Sequence, residues 1–140
     1  MPSTLPERFE AGTMSTPAIG ALKKGIDFVK IRGAEEIYAH ECVLGKRLTE
    51  MLTSVRNTKV YMPEKIGGTV LFNYADMSSE QLAGELEKAG ICVRAGLHCA
   101  PLAHKTLGTP EYGAVRVSFS IFNTKNEVDN FYRVYSNIVK

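Results

Sequence analysis

Two short sequences fix where helices must begin in this chain, and the periodicities around them limit what it can fold into. Ser78-Ser79-Glu80-Gln81 and Thr124-Lys125-Asn126-Glu127 both have the Ser/Thr-x-x-Gln/Glu form of a capping box. In that motif a hydroxyl accepts from a first-turn N–H that has no helical partner, and the longer side chain reaches back to the cap's own N–H. The first box opens a helix carrying Leu82, Leu86 and Ala89, with Gly90 placed to end it. The second opens the last helix, whose Val128, Phe131, Tyr135 and Ile138 form one apolar stripe. Two further helices are expected upstream. From residue 17 to about 31, Ala18, Ile19, Leu22, Ile26 and Val29 recur at helical spacing, with Pro17 in the first turn and Thr16 as its cap, before Gly33 breaks the pattern. From about 34 to 55, Ile37, Leu44, Leu48, Met51 and Val55 share a face.

Between the helices the period changes to two. Residues 59–62 and 68–73 are strand candidates, joined by a turn over 63–67, and in the second strand Val70 and Phe72 point opposite to Thr69 and Leu71. Residues 91–94 read as a short strand entering a loop over 95–110, and 114–120 as another strand. The order is helix, helix, strand, strand, helix, strand, loop, strand, helix. It predicts an α+β two-layer sandwich, a small and mainly antiparallel sheet with helices packed on one face. A length of 140 residues suits one core. Residues 1–16, with two prolines beyond the start and little apolar periodicity, read as an extended lead-in from an upstream domain, and 17–140 as a single domain.

Charge and composition exclude several classes. A net charge of +2, with no run of Lys or Arg, does not make a nucleic-acid surface. No stretch approaches the ~18 apolar residues of a membrane helix, and the N-terminus lacks a signal-peptide pattern, so a cytoplasmic location and no membrane partner are expected. Three cysteines at unrelated spacings do not make a disulfide scaffold. Nucleotide-binding glycine loops, His-Glu-x-x-His and Gly-x-Ser-x-Gly are absent from the sequence.

The chemistry concentrates in Arg94-Ala95-Gly96-Leu97-His98-Cys99-Ala100-Pro101-Leu102-Ala103-His104-Lys105, which holds a cysteine and two of the three histidines among cations. A positive field favours thiolate over thiol, and the thiolate is the nucleophile. The plain alternative is a small buried cysteine among surface histidines. Cys42, within a helix, and Cys92, between Ile91 and Val93, fit that structural role. Cys92, His98, Cys99 and His104 could be read as metal ligands, but the Cys-x-x-Cys pair of a zinc site is missing, and no metal is expected. In the strand over 114–120, Val115, Val117 and Phe119 share one face while Arg116 falls on the other. A half-enclosed arginine there could hold a carboxylate through two parallel hydrogen bonds, or simply face solvent.

Three segments in order resemble the cysteine desulfurases of the class V aminotransferase superfamily, which are fold-type I enzymes. They are Pro6-Glu7-Arg8-Phe9-Glu10-Ala11-Gly12-Thr13, Val93-Arg94-Ala95-Gly96-Leu97-His98-Cys99-Ala100, and Val115-Arg116-Val117-Ser118 followed by Phe122-Asn123-Thr124. The resemblance implies a C-terminal small domain of a pyridoxal 5'-phosphate enzyme that takes sulfur from L-cysteine, leaving L-alanine and a persulfide on Cys99. It implies that Arg116 grips the substrate carboxylate, that Arg94 and His98 support the site, and that Asn123 and Thr124 are structural. It further implies a homodimer in the full-length enzyme, a sulfur-acceptor protein and a link to iron–sulfur cluster assembly. No lysine here matches the cofactor lysine, and no cofactor-binding residue is assigned. The chain by itself is therefore expected to bind no cofactor, to be inactive, and to expose apolar surface. An aminotransferase or selenocysteine lyase is the near alternative. A stand-alone sulfur carrier or interaction module is the alternative of another class.

Overall fold

The computed structural model describes residues 3–9 and 12–140, and outside residues 91–110 its elements follow the expected order. They are α1 (Thr16–Arg32), α2 (Ala34–Thr53), β1 (Thr58–Tyr61), β2 (Thr69–Tyr74), α3 (Ser79–Lys88), α4 (Pro101–Leu107), β3 (Val115–Ser118) and α5 (Lys125–Ile138). The chain divides into two compact units, Met1–Ala34 and Glu35–Lys140.

In the first unit a single 3-10 turn, Glu7–Phe9, precedes α1. The cap of α1 is Ser15 rather than Thr16: its Oγ accepts from Ala18 N–H, and Thr16 is already the first helical residue. No α1 residue is buried, and Ile19, Leu22, Ile26 and Val29 all stay exposed. Glu10 and Ala11, within the first family-like segment, lie outside the described residues.

In the second unit β2 is central. It pairs antiparallel with β1, Val60 opposite Phe72, and with β3, Leu71 opposite Arg116. One face of this sheet is the core. Val70, Phe72, Val115 and Val117 meet Leu44, Leu48 and Leu52 of α2, Leu82 and Leu86 of α3, and Val128, Phe131 and Tyr135 of α5. The expected seam of α2 is thereby shifted: Leu52 is fully buried, while Met51 and Val55 only flank the core. Phe72 stands edge-on to Tyr135 at 5.4 Å, and the Tyr135 hydroxyl meets Thr58 Oγ1 at 2.6 Å. Removal of such side chains from water stabilises the fold by roughly 1.5–3 kcal/mol each. The fold is thus the expected α+β sandwich with a small antiparallel sheet.

Both capping boxes form. Gln81 N–H donates to Ser78 Oγ at 3.2 Å and Ser78 N–H to Gln81 Oε1 at 2.9 Å. Glu127 N–H donates to Thr124 Oγ1 at 3.3 Å and Thr124 N–H to Glu127 Oε2 at 2.6 Å. The bonds from Thr124 hold the Glu127 carboxyl below its ordinary range. Thr124→Ala is expected to cost about 1 kcal/mol, read as a lower melting temperature with unchanged secondary structure. Because the folded carboxyl is depressed, the contribution of Glu127 is present above about pH 4.3 and fades as pH falls through the folded value. Thr124→Ala should flatten that part of the pH profile.

Two readings are corrected. Residues 91–94 do not form a strand: only Arg94 bridges, to Arg116. Beyond Gly96, whose φ is +93°, the backbone turns away. Residues 95–110 are not all loop, since α4 occupies Pro101–Leu107, opened by Pro101 and closed by Gly108 at φ +72°. This helix belongs to the side of the sheet away from the core, where Leu107 lines a cavity of about 390 Å³ with Tyr61, Thr69 and Leu71.

Candidate active site

The cysteine segment is docked on β3 by its own backbone. Arg94 N–H donates to Arg116 O at 3.1 Å, and Arg116 N–H to Arg94 O at 2.7 Å. One rung further, Ala114 N–H donates to Gly96 O at 3.2 Å. The approach is close because Gly113 has no side chain. A Cβ on it would overlap the carbonyl group of Gly96, and Gly113 itself sits at φ +58°.

Beyond Gly96 the chain reverses. Leu97 to Ala100 is a tight turn closed by Ala100 N–H to Leu97 O at 2.8 Å, with His98 at φ +52° and Cys99 at φ +57°. Two consecutive left-handed residues are the pattern of a turn that ordinarily takes Asn and Gly. His and Cys in those places carry a conformational cost. The result is that Cys99 is exposed, immediately before α4.

His98 is held by Ala114, whose carbonyl lies 3.0 Å from Nε2. Its Nδ1 is buried and has no hydrogen-bond partner. Burial lowers the pKa of His98, opposed by the Ala114 bond and reinforced by Arg116, His104 and Arg94. The ring of His104 lies 5.4 Å away. His104 is fully buried, its Nδ1 2.8 Å from Thr109 Oγ1, which makes it part of the support beneath the turn.

Arg116 lies on the sheet face opposite the core and is half-buried. Its Nε is buried and unpartnered. A buried guanidinium donor left without an acceptor is costly unless a ligand supplies one. Arg94 is exposed beside it. Arg94 and Arg116 are thus bridged neighbours, His98 docks on Ala114 beside them, and Cys99 follows His98 in the turn. Asn123 is a turn residue: its Oδ1 accepts from Ser120 N–H at 2.9 Å. Cys42 is half-buried on α2. Cys92 is exposed, so it is not the buried filler its apolar neighbours suggest. The sequence reading did not single out Gly113 or Thr109, and the spacing of Gly113 three residues before Arg116 was the available signal.

The aminotransferase class-V family model matches residues 2–131. The chain belongs to that family. Among curated relatives, a probable cysteine desulfurase of Halalkalibacterium halodurans is 37% identical over 125 residues, covering 89% of this chain and 30% of the relative. A cysteine desulfurase of Cronobacter sakazakii is 35% identical over 124 residues, with the same coverage of each. The apo structure of a cysteine desulfurase from Thermococcus onnurineus NA1 superimposes with a TM-score of 0.85 at 36% identity, over 96% of this chain and 34% of that one. The chain thus spans about 30% of the length of the curated relatives it matches.

Proposed function

We propose that this chain carries the sulfur-accepting part of a pyridoxal-phosphate-dependent cysteine desulfurase. The observation that supports it most is the pairing of an exposed cysteine, held in a costly turn, with a strand arginine whose buried Nε lacks an acceptor. The two lie on segments tied by the Arg94–Arg116 bonds. In this reading Arg116 takes the carboxylate of L-cysteine and sets its orientation, with Arg94 adding positive charge beside it. The Cys99 thiolate attacks the substrate sulfur. A sulfur–sulfur bond forms at Cys99 as the substrate's carbon–sulfur bond breaks, and the bonding pair stays with the carbon, which is then protonated to give L-alanine. Pyridoxal phosphate, when bound, supplies the electron sink for this cleavage, and none of the described residues is assigned to holding it.

An exposed turn suits a thiol that must meet both a bound substrate and a sulfur acceptor. A plain aminotransferase needs no such thiol, which favours the desulfurase over that alternative. We extend the reading to a homodimeric full-length enzyme that passes sulfur to an acceptor protein in iron–sulfur cluster assembly. Three free cysteines accord with a reducing cytoplasm. Among the described residues no helix is long and apolar enough to cross a membrane.

The test is to incubate the full gene product with pyridoxal phosphate and L-cysteine, to measure alanine and sulfide, and to map any persulfide by mass spectrometry. Alanine with a persulfide on Cys99 supports the reading; no alanine sinks it. The chain alone is expected to make none. Arg116→Lys keeps the charge but loses the planar fork, so KM for cysteine should rise about tenfold or more with a smaller change in kcat. An unchanged KM would remove Arg116 from the carboxylate site.

A further inference from the structure

The left-handed turn that presents Cys99 has no glycine at either central position, so something outside it must hold it. A regular antiparallel ladder would continue from the Arg94–Arg116 rung with a second two-bond rung between Gly96 and Ala114. Only half of it is present. Ala114 N–H reaches Gly96 O, while the Ala114 carbonyl accepts from the His98 ring at 3.0 Å instead of from the Gly96 backbone. The imidazole stands in for the missing backbone donor. A carbonyl oxygen only accepts, so this bond fixes the tautomer with the proton on Nε2. Nδ1 is then an acceptor, buried and without a partner.

We infer that His98 is the positioning residue of this site: its Nε2–H bond to the Ala114 carbonyl substitutes for a ladder rung and holds the Leu97–Ala100 turn, and with it Cys99, at a fixed place relative to Arg116. Ala114 and Arg116 lie on the same short stretch of chain, so one bond sets both the thiol and the carboxylate clamp. The claim about the turn stands on the hydrogen bonds alone. Its bearing on sulfur transfer rests on the reading of Cys99 as the nucleophile.

The surroundings of His98 favour the neutral ring, the Ala114 bond alone pulling the other way. Arg116 of β3, His104 of α4 and Arg94 at the bridge all oppose a second proton on His98, and burial does so more strongly. Glu80 of α3 reaches the Gly96 position, its Oε1 3.6 Å from where a Cβ on that glycine would lie. Because the folded pKa is lowered, the open turn binds more protons than the closed one. Closure is therefore complete above about pH 6.5 and weakens as pH falls toward the folded value.

The experiment uses the nitrogen-15-labelled chain with His98→Leu and His98→Gln. Leucine fills space without a donor; glutamine offers an amide N–H at similar reach. In the wild type, ring nitrogen shifts should show the Nε2–H tautomer at pH 7.5. His98→Leu should lower the hydrogen-exchange protection of the Ala100 amide about tenfold, and His98→Gln should restore most of it. Wild-type protection of that amide should also fall in a step below about pH 6.5, and the step should be missing in His98→Gln. Amides of β2 and α5 serve as controls for global folding. An Nδ1–H tautomer in the wild type overturns the inference without any variant. So does full protection in His98→Leu, or glutamine performing no better than leucine. These outcomes do not depend on desulfuration. Alanine production failing while the turn behaves as described would sink the functional reading and leave the positioning bond standing.

Discussion

Cys99→Ala in the full gene product is expected to reduce alanine formation from cysteine by about a thousandfold or more, since Cys99 is the thiol proposed to take the sulfur. Cys42→Ala and Cys92→Ala should leave the rate within about twofold, as befits residues outside the chemistry. The three thiols differ in placement. Cys42 sits half-buried on α2 beside Tyr38, whose phenol is pushed up mainly by its hydrogen bond to Cys42. Cys92 lines a cavity with Val117, Phe119 and Asn123. Cys99 alone is held in a left-handed turn. Because its side chain is exposed, the change to alanine should shift stability by no more than about 0.5 kcal/mol. Loss of activity with an unchanged melting temperature is thus the expected pair of results. Alanine production that survives in Cys99→Ala would move the sulfur acceptor elsewhere.

Gly113→Ala should have the largest structural effect of any single methyl group in this region. Two penalties coincide. At φ +58° an L side chain is disfavoured by roughly 1–2 kcal/mol. The added Cβ would also meet the Gly96 backbone, with the Cα only 2.6 Å away, and backbone cannot rotate aside. Overpacking of this kind costs a further 1–3 kcal/mol or so. A loss of about 3 kcal/mol, or roughly 10 °C in melting temperature, is expected. The change should also push the segment from Arg94 to Cys99 off β3, breaking the Ala114-to-Gly96 bond first. Hydrogen exchange would show this as lost protection at Ala114 and Arg94 while α5 stays protected. Gly84→Ala is the control, since a Cβ there meets nothing within 4 Å. Equal melting temperatures for Gly113→Ala and Gly84→Ala would show that the close approach at Gly96 does not matter to the fold.

The parts of the fold that were legible in the sequence are those governed by local rules. The boxes at Ser78 and Thr124 specify their own helix starts because donor and acceptor lie three residues apart. Val70 and Phe72 alternate with Thr69 and Leu71 because one face of β2 is buried. Arg116 could be placed off the core face by the same alternation. The shift from Met51 to Leu52 in the α2 seam was not legible, because periodicity gives a face to within one residue while packing against the sheet decides which residue is central. Nor was the cap of α1, where Ser15 and Thr16 are both competent hydroxyls and only the backbone chooses.

The active segment divides along the same line. Its sequence alone named Cys99, His98, Arg94 and Arg116, since their residue types and order carry the family resemblance. Only the tertiary structure decided what each one touches. The rung between Arg94 and Arg116, the imidazole bond to Ala114 and the contact of Gly96 with Gly113 all join residues distant in the chain. No local propensity can encode such contacts. The α4 helix within residues 95–110 shows the converse: seven residues from Pro101 are too few to display a period, so the helix could be recognised only once Leu107 and His104 had surfaces to pack against. Local hydrogen bonding and burial patterns wrote the elements into the sequence, and the long-range backbone contacts that turn them into a site exist only when the chain is folded.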